Sequence, residues 1–182
     1  MSHFDDERPE HERSRVDTGG CTWHESRPYV NERTKLESER NPATPDDEDP
    51  WDFTVLDYLT ELIELIQGNG VAPGSYFAPM GEREAVAMNP KPWMGEFKVT
   101  GIARKQEGGK RKYRLYFAEP DMDTKAVLGA HLSHKKANHL KGTVAGTKVP
   151  LTSAGQTSEV VAAMGIVKRW CKQSNVGFRT HP

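Results

Sequence analysis

The segment Lys112 to Ala118 (KYRLYFA) alternates: Tyr113, Leu115 and Phe117 fall on one side, Lys112, Arg114 and Tyr116 on the other. Only an extended chain sorts residues with a period of two, so this segment commits the protein to a sheet with one apolar face and one charged face. It sits inside the cationic stretch Lys110 to His139. Lys110, Arg111, Lys112 and Arg114 come first, and His131, His134, Lys135, Lys136 and His139 follow a second apolar run. Crowding these cations onto a small sheet costs self-repulsion, which a polyanion such as RNA or DNA relieves. A nucleic-acid surface is the expectation.

The neighbouring segments supply the rest of a fold. Gly95 to Ala103 (GEFKVTGIA) alternates as a strand with Phe97, Val99 and Ile102 toward a core, and Gly108 and Gly109 turn the chain into the Lys112 strand. Arg104 and Lys105 flank that turn. A second turn at Glu119 to Asp123 leads into a third strand, Lys125 to Ser133. Upstream, Leu56, Leu59, Ile63 and Ile66 make a helical stripe that Val55 and Leu62 widen, capped by Asp52 or Thr54 and stopped by Gly68 and Gly70. Asp57, Glu61 and Glu64 form its solvated face. Downstream, Ser153 and Gln156 have capping-box spacing, and Val160, Met164, Val167 and Cys171 repeat as one face of a closing helix. Residues 71–92 read as a packed connector. The fold class is α+β: a small antiparallel sheet of three to four strands packed on an N-terminal and a C-terminal helix.

Charge divides the chain. Residues 1–50 carry 14 acids against 7 bases, whereas Phe97 to Pro182 carries 16 Lys or Arg against 5 acids. The first segment has few apolar residues to offset the entropy of ordering, so residues 1–50 are expected to be a disordered acidic tail, closed by the linker Pro42 to Pro50. The domain is then 51–173, with a frayed tail at 174–182. Cys21 and Cys171 lie at opposite ends without metal-ligand spacing, which suits a reducing compartment. The acidic start does not read as a signal peptide, and no run of apolar residues is long enough to span a bilayer, so the protein is expected in the cytoplasm, with no membrane partner. Ammonium groups beside His131, His134 and His139 oppose a cation, so neither metal nor cofactor is expected.

The order of WMGEFKV (Trp93 to Val99), YRLYF (Tyr113 to Phe117), Lys135 with Lys136 after an apolar strand, and a closing helix with Ala163 and Arg169 resembles the RelE/HigB-like toxins of the ParE/RelE superfamily, in particular their phage-associated HigB-like branch. The resemblance spans about Asp52 to Lys172. It implies a microbial-RNase-like α/β fold, ribosome-dependent cleavage of mRNA, and a cognate antitoxin as partner. In such chemistry a ribose 2'-hydroxyl attacks the adjacent phosphate, and Arg and Lys stabilise the charge that develops. By the resemblance Arg114, Lys98, Lys135 and Lys136 are candidate catalytic residues. Tyr116 and His134 join them by proximity, and Arg104, Lys105, Lys110, Arg111, Lys112, His131 and His139 are candidate RNA contacts. Two other functions fit the same charges: a non-catalytic nucleic-acid binder, and a ParE-like inhibitor of a protein target.

Overall fold

A computed structural model describes residues 6–39, 51–81, 87–100, 111–136 and 153–182. Its sheet is built on the Lys112 alternation. Strand β4 (Arg111–Ala118) pairs antiparallel with β3 (Met94–Thr100) on one side and β6 (Ala126–Lys136) on the other. A short β2 (Tyr76–Phe77) extends the β3 edge, and β1 (Thr22–Glu25) runs parallel to the start of β6. Among the described residues these five strands form one mixed sheet in the order β1-β6-β4-β3-β2. The α+β class holds, and the sheet is wider than expected because the chain ahead of residue 51 and the connector each add a strand.

One face of the sheet is the apolar side of the alternation. Tyr113, Leu115 and Phe117 are buried there with Phe97 and Leu132, against α1 (Arg27–Glu39) and α2 (Trp51–Gln67). Of the expected α2 stripe, Val55, Leu56, Leu59, Leu62 and Ile66 lie in this core, whereas Ile63 is only partly buried. Phe97 and Phe117 stack at 4.8 Å, and the rings of Tyr76 and Trp93 meet Phe117 edge-on. Full burial of each such side chain is worth roughly 1.5–3 kcal/mol. The opposite face is half covered. Met94, Tyr116, Ala118, Leu128 and Ala130 pack beneath α3 (Ser153–Gln173) through Val160, Ala163, Met164, Val167 and Cys171.

The expectation of disorder over residues 1–50 is corrected for residues 6–39, which are integral to the fold. Two short 3-10 turns, Glu10–Glu12 and Arg15–Asp17, lead into β1 and α1, and Val16, Cys21, Tyr29 and Leu36 are core residues. A capping box between Ser14 and Asp17 closes the second turn, and Ser26 Oγ accepts from the Tyr29 amide at the head of α1. Composition misjudged the segment because its few apolar residues are supplemented by charge pairing. Arg8 donates to Asp6 and Tyr76, and the Tyr76 hydroxyl donates to Asp17 at 2.8 Å. The linker Pro42 to Pro50 lies outside the described residues.

The C-terminal tail is also docked, contrary to the expected fraying. A strand β7 (Gly177–Phe178) pairs with β5 (Pro120–Asp121), and Thr180 bridges to Pro92. Arg179 lies over the Trp93 ring at 4.2 Å and donates to the buried Glu119 at 2.9 Å. Glu119 also accepts from Ser14 Oγ and the Arg15 amide, so one buried carboxylate fastens both ends of the chain to the turn after β4. The turn on Gly108 and Gly109, and residues 82–86 of the connector, lie outside the described residues.

Candidate nucleic-acid interface

The polar side of the alternation builds the site. Strand register sets Glu96 opposite Tyr116 and Lys98 opposite Arg114 across β3 and β4, then Tyr116 opposite His131 and Arg114 opposite Ser133 across β4 and β6. Residues directly opposite in an antiparallel pair project to the same face. Glu96, Tyr116 and His131 therefore form one row, and Lys98, Arg114 and Ser133 form the next.

At the centre is an ion pair. Arg114 donates through Nη1 to both carboxylate oxygens of Glu96, at 3.1 and 2.9 Å, and Lys98 Nζ lies 3.4 Å from the same carboxylate. Glu96 is sealed from solvent, Arg114 is 16% exposed at its side chain and Lys98 63%. Lys98 thus presents its charge outward while Arg114 spends much of its own on Glu96. Tyr116 is fully buried, its hydroxyl without a hydrogen-bond partner. Burial, together with the Glu96 carboxylate, pushes its phenol well above the usual tyrosine range. A phenol so protected remains protonated and cannot act as a base.

His131 closes the row. Its ring stacks on Tyr116 at 6.2 Å, and its Nε2 lies 2.7 Å from Glu159 of α3, while its Nδ1 is buried without a partner. Beyond Glu25 the strand β1 ends, and Ser26 Oγ donates to the Ala130 carbonyl. At this edge His131 borders a hollow of about 510 Å³ also lined by Pro28, Asn31 and Lys35 of α1.

The candidate residues separate on this geometry. Arg114, Lys98, Tyr116 and His131 come together. His134 does not, because register places it opposite Tyr113, on whose ring it tilts at 5.3 Å, on the helix-covered side of the sheet. Lys112 is exposed on the polar side, and Lys135 and Lys136 occupy β6 positions opposite Lys112 and Arg111. The side chains of Arg111, Lys135 and Lys136, and all of Arg104, Lys105, Lys110 and His139, lie outside the described residues. Glu96 and Glu159 escaped sequence reasoning. The signal for Glu96 was a lone carboxylate between Gly95 and Phe97 in β3; Glu159, one residue before the buried Val160, carried none.

Among the described residues no group of three or more His, Cys, Asp or Glu could hold a metal ion, and no helix is long and apolar enough to cross a membrane. Comparison with protein-family models, with curated proteins and with solved structures finds no match.

Proposed function

We propose that the chain is an endoribonuclease of the RelE/HigB-like type, cleaving single-stranded mRNA on the face that carries Glu96, Lys98, Arg114, Tyr116 and His131. The observation that carries this reading is the combination in one patch of a carboxylate, two cations and a histidine, the kinds of group that general acid–base cleavage of a phosphodiester uses. Lys98 and Arg114 hold the scissile phosphate. As the phosphate draws Arg114 away, the Glu96 carboxylate is freed to take the 2'-hydroxyl proton. The 2'-oxygen then bonds to phosphorus, the bond to the 5'-oxygen breaks, and that oxygen leaves with a proton delivered by His131, giving a 2',3'-cyclic phosphate. The remainder of the resemblance supports a ribosome-bound substrate, a protein antitoxin that neutralises the chain, and a cytoplasmic site of action.

Controlled expression in a bacterium tests this, with growth followed and mRNA ends mapped by primer extension for wild type, Lys98→Ala and Glu96→Gln. The expected result is growth arrest with new mRNA ends in wild type only. Lys98 is largely exposed, so its removal leaves the fold in place and a negative result with it speaks to chemistry.

One observation favours a second reading. Glu96 has no solvent exposure and Arg114 engages both of its oxygens, the geometry of a structural ion pair beneath a binding surface. On that reading the face binds nucleic acid without cutting it. Wild-type protein that is folded, binds RNA in a salt-dependent way and leaves mRNA intact would select it.

A further inference from the structure

Strand β2 carries the row of site residues past the Glu96 carboxylate to the sheet edge. Register sets Phe77 directly opposite Glu96 and Tyr76 opposite Phe97. Tyr76 is buried with its ring 5.6 Å from Phe97, so the neighbouring Phe77 projects to the other face, the face of Glu96. Phe77 is 61% exposed, more than any other large apolar side chain among the described residues. An aromatic ring left in water at the end of a row of catalytic-type groups calls for a ligand with a flat apolar surface.

The surroundings give that ligand a charge. Phe77 lines a groove of about 670 Å³, within the range of small-ligand sites, together with Lys91, His11 and His181. Arg8 lines it as well, but its charge is already taken by Asp6 and Asp17. Lys91 donates to the Gly81 carbonyl and has no carboxylate within ion-pair distance among the described residues. His181 turns Nδ1 toward the Pro182 carbonyl oxygen, and its Nε2 is buried without a hydrogen-bond partner. Glu12, 3.8 Å from His11, is the one acid among the described lining residues. The groove therefore joins an exposed stacking surface to an ammonium with no carboxylate partner among the described residues and to two imidazoles.

We infer that this groove is a nucleotide subsite for single-stranded RNA, in which a base stacks on Phe77 and the neighbouring phosphate is held by Lys91 with His11 and His181. The inference rests on the reading of the Glu96 face as an RNA-cleaving face and adds the path of the substrate: the strand leaves the scissile position across β3 and continues over β2. Stacking of a base on an aromatic side chain tolerates any base, so the subsite fixes where the strand runs and not which sequence it carries.

Binding of a fluorescein-labelled hexanucleotide, 2'-O-methylated so that it cannot be cleaved, is measured by anisotropy across a salt series for wild type, Phe77→Ala, Phe77→Trp and Lys91→Gln. Cleavage is followed in parallel by mapping mRNA ends in bacteria expressing each variant. The expected results are about 5- to 100-fold weaker binding for Phe77→Ala at every salt concentration and recovery in Phe77→Trp. Lys91→Gln should flatten the salt dependence by about 0.7 in log–log slope. Circular dichroism checks each fold, and Phe77, being exposed, can be truncated without opening the core. Phe77→Ala binding as tightly as wild type, or no binding by wild type, overturns the subsite. If wild type cleaves while Phe77→Ala binds normally, the subsite falls and the nuclease reading stands. If binding depends on Phe77 and no cleavage occurs, the nuclease reading falls and the groove stands as a single-strand binding site.

Discussion

Arg114 and Glu96 are joined by both oxygens of a carboxylate that has no contact with solvent, on the face of the sheet that carries every polar residue of the candidate site. A buried pair of this kind is asymmetric in its energetics. The two charges together are near neutral for stability, whereas removal of one leaves the other in a low-dielectric setting without its main partner.

Removing the guanidinium should therefore cost far more than removing both partners. Arg114→Ala is expected to destabilise the protein by about 3–5 kcal/mol, and the double variant Arg114→Met with Glu96→Leu to recover most of that loss. Urea denaturation of Arg114→Met, Glu96→Leu and the double variant supplies the coupling energy. Equal losses in Arg114→Ala and the double variant would show that the pair is not coupled as described. This stability term is also why Lys98→Ala, and not Arg114→Ala alone, is the cleaner probe of activity.

The N-terminal segment should respond to acid before the sheet does. The hydrogen bond from Arg8 holds the Asp6 carboxyl down at about 2, against about 3.9 for an unperturbed aspartate. A folded value below the unfolded one contributes stability that is present above about pH 4 and lost as pH falls toward 2. Hydrogen exchange is expected to show residues 6–17 losing protection in that window while β3, β4 and β6 retain theirs. The alkaline side has the opposite sign: burial raises the Tyr29 phenol to about 12, so its contribution is intact below pH 10 and is lost between about pH 10 and 12. Tyrosinate absorbance should rise together with unfolding there.

The elements legible in the sequence were those with one buried face and one exposed face. The alternation of Tyr113, Leu115 and Phe117, the α2 stripe through Leu59 and Ile66, and the α3 stripe of Val160, Met164, Val167 and Cys171 each became core. The burial of Tyr116 and Glu96 was not legible because alternation says only that they lie opposite the first core; that α3 packs on Tyr116 is a tertiary fact with no local signal. The histidines were separated by parity. His131 and His134 differ by an odd number of positions, and the register shift between Tyr116 and Phe117 makes strand counting from Val127 or Leu128 unsafe. Strand β1, four residues paired in parallel with Ala126 to Gly129, and β7, two residues paired with β5, owe their existence to distant partners, so their short segments carried no pattern of their own.

Glu119 tests whether the termini are held by charge. Its buried carboxylate receives Ser14 Oγ at 2.7 Å, the Arg15 amide at 2.8 Å and Arg179 Nη1 at 2.9 Å. Glu119→Gln keeps an acceptor oxygen and removes the charge, so a loss of about 1.5–3 kcal/mol is expected from the charge-assisted bonds. Limited proteolysis should then cleave within residues 174–182 faster than in wild type. Unchanged cleavage would mean that the β5 and β7 pairing and the Arg179–Trp93 contact suffice alone.

Two adjacent glycines separate backbone freedom from close approach. Gly19 and Gly20 both adopt positive φ, at 62° and 65°. A Cβ on Gly20 would meet nothing within 4 Å, whereas one on Gly19 would overlap the Gly70 amide nitrogen and the Gly68 carbonyl oxygen, where the chain passes the C-terminal end of α2. The Gly20 amide donates to that same Gly68 carbonyl at 2.8 Å, so the approach is part of the docking. Gly20→Ala should cost about 1 kcal/mol, the penalty of a left-handed alanine. Gly19→Ala carries the same penalty and adds a clash between two backbones, neither of which can turn aside as a side chain can. It is expected to lower the thermal midpoint by several degrees more than Gly20→Ala and to expose the buried Cys21 thiol to alkylation under native conditions. Matching midpoints for the two variants, with Cys21 equally protected, would show that residues 6–25 do not depend on the α2 terminus for their position.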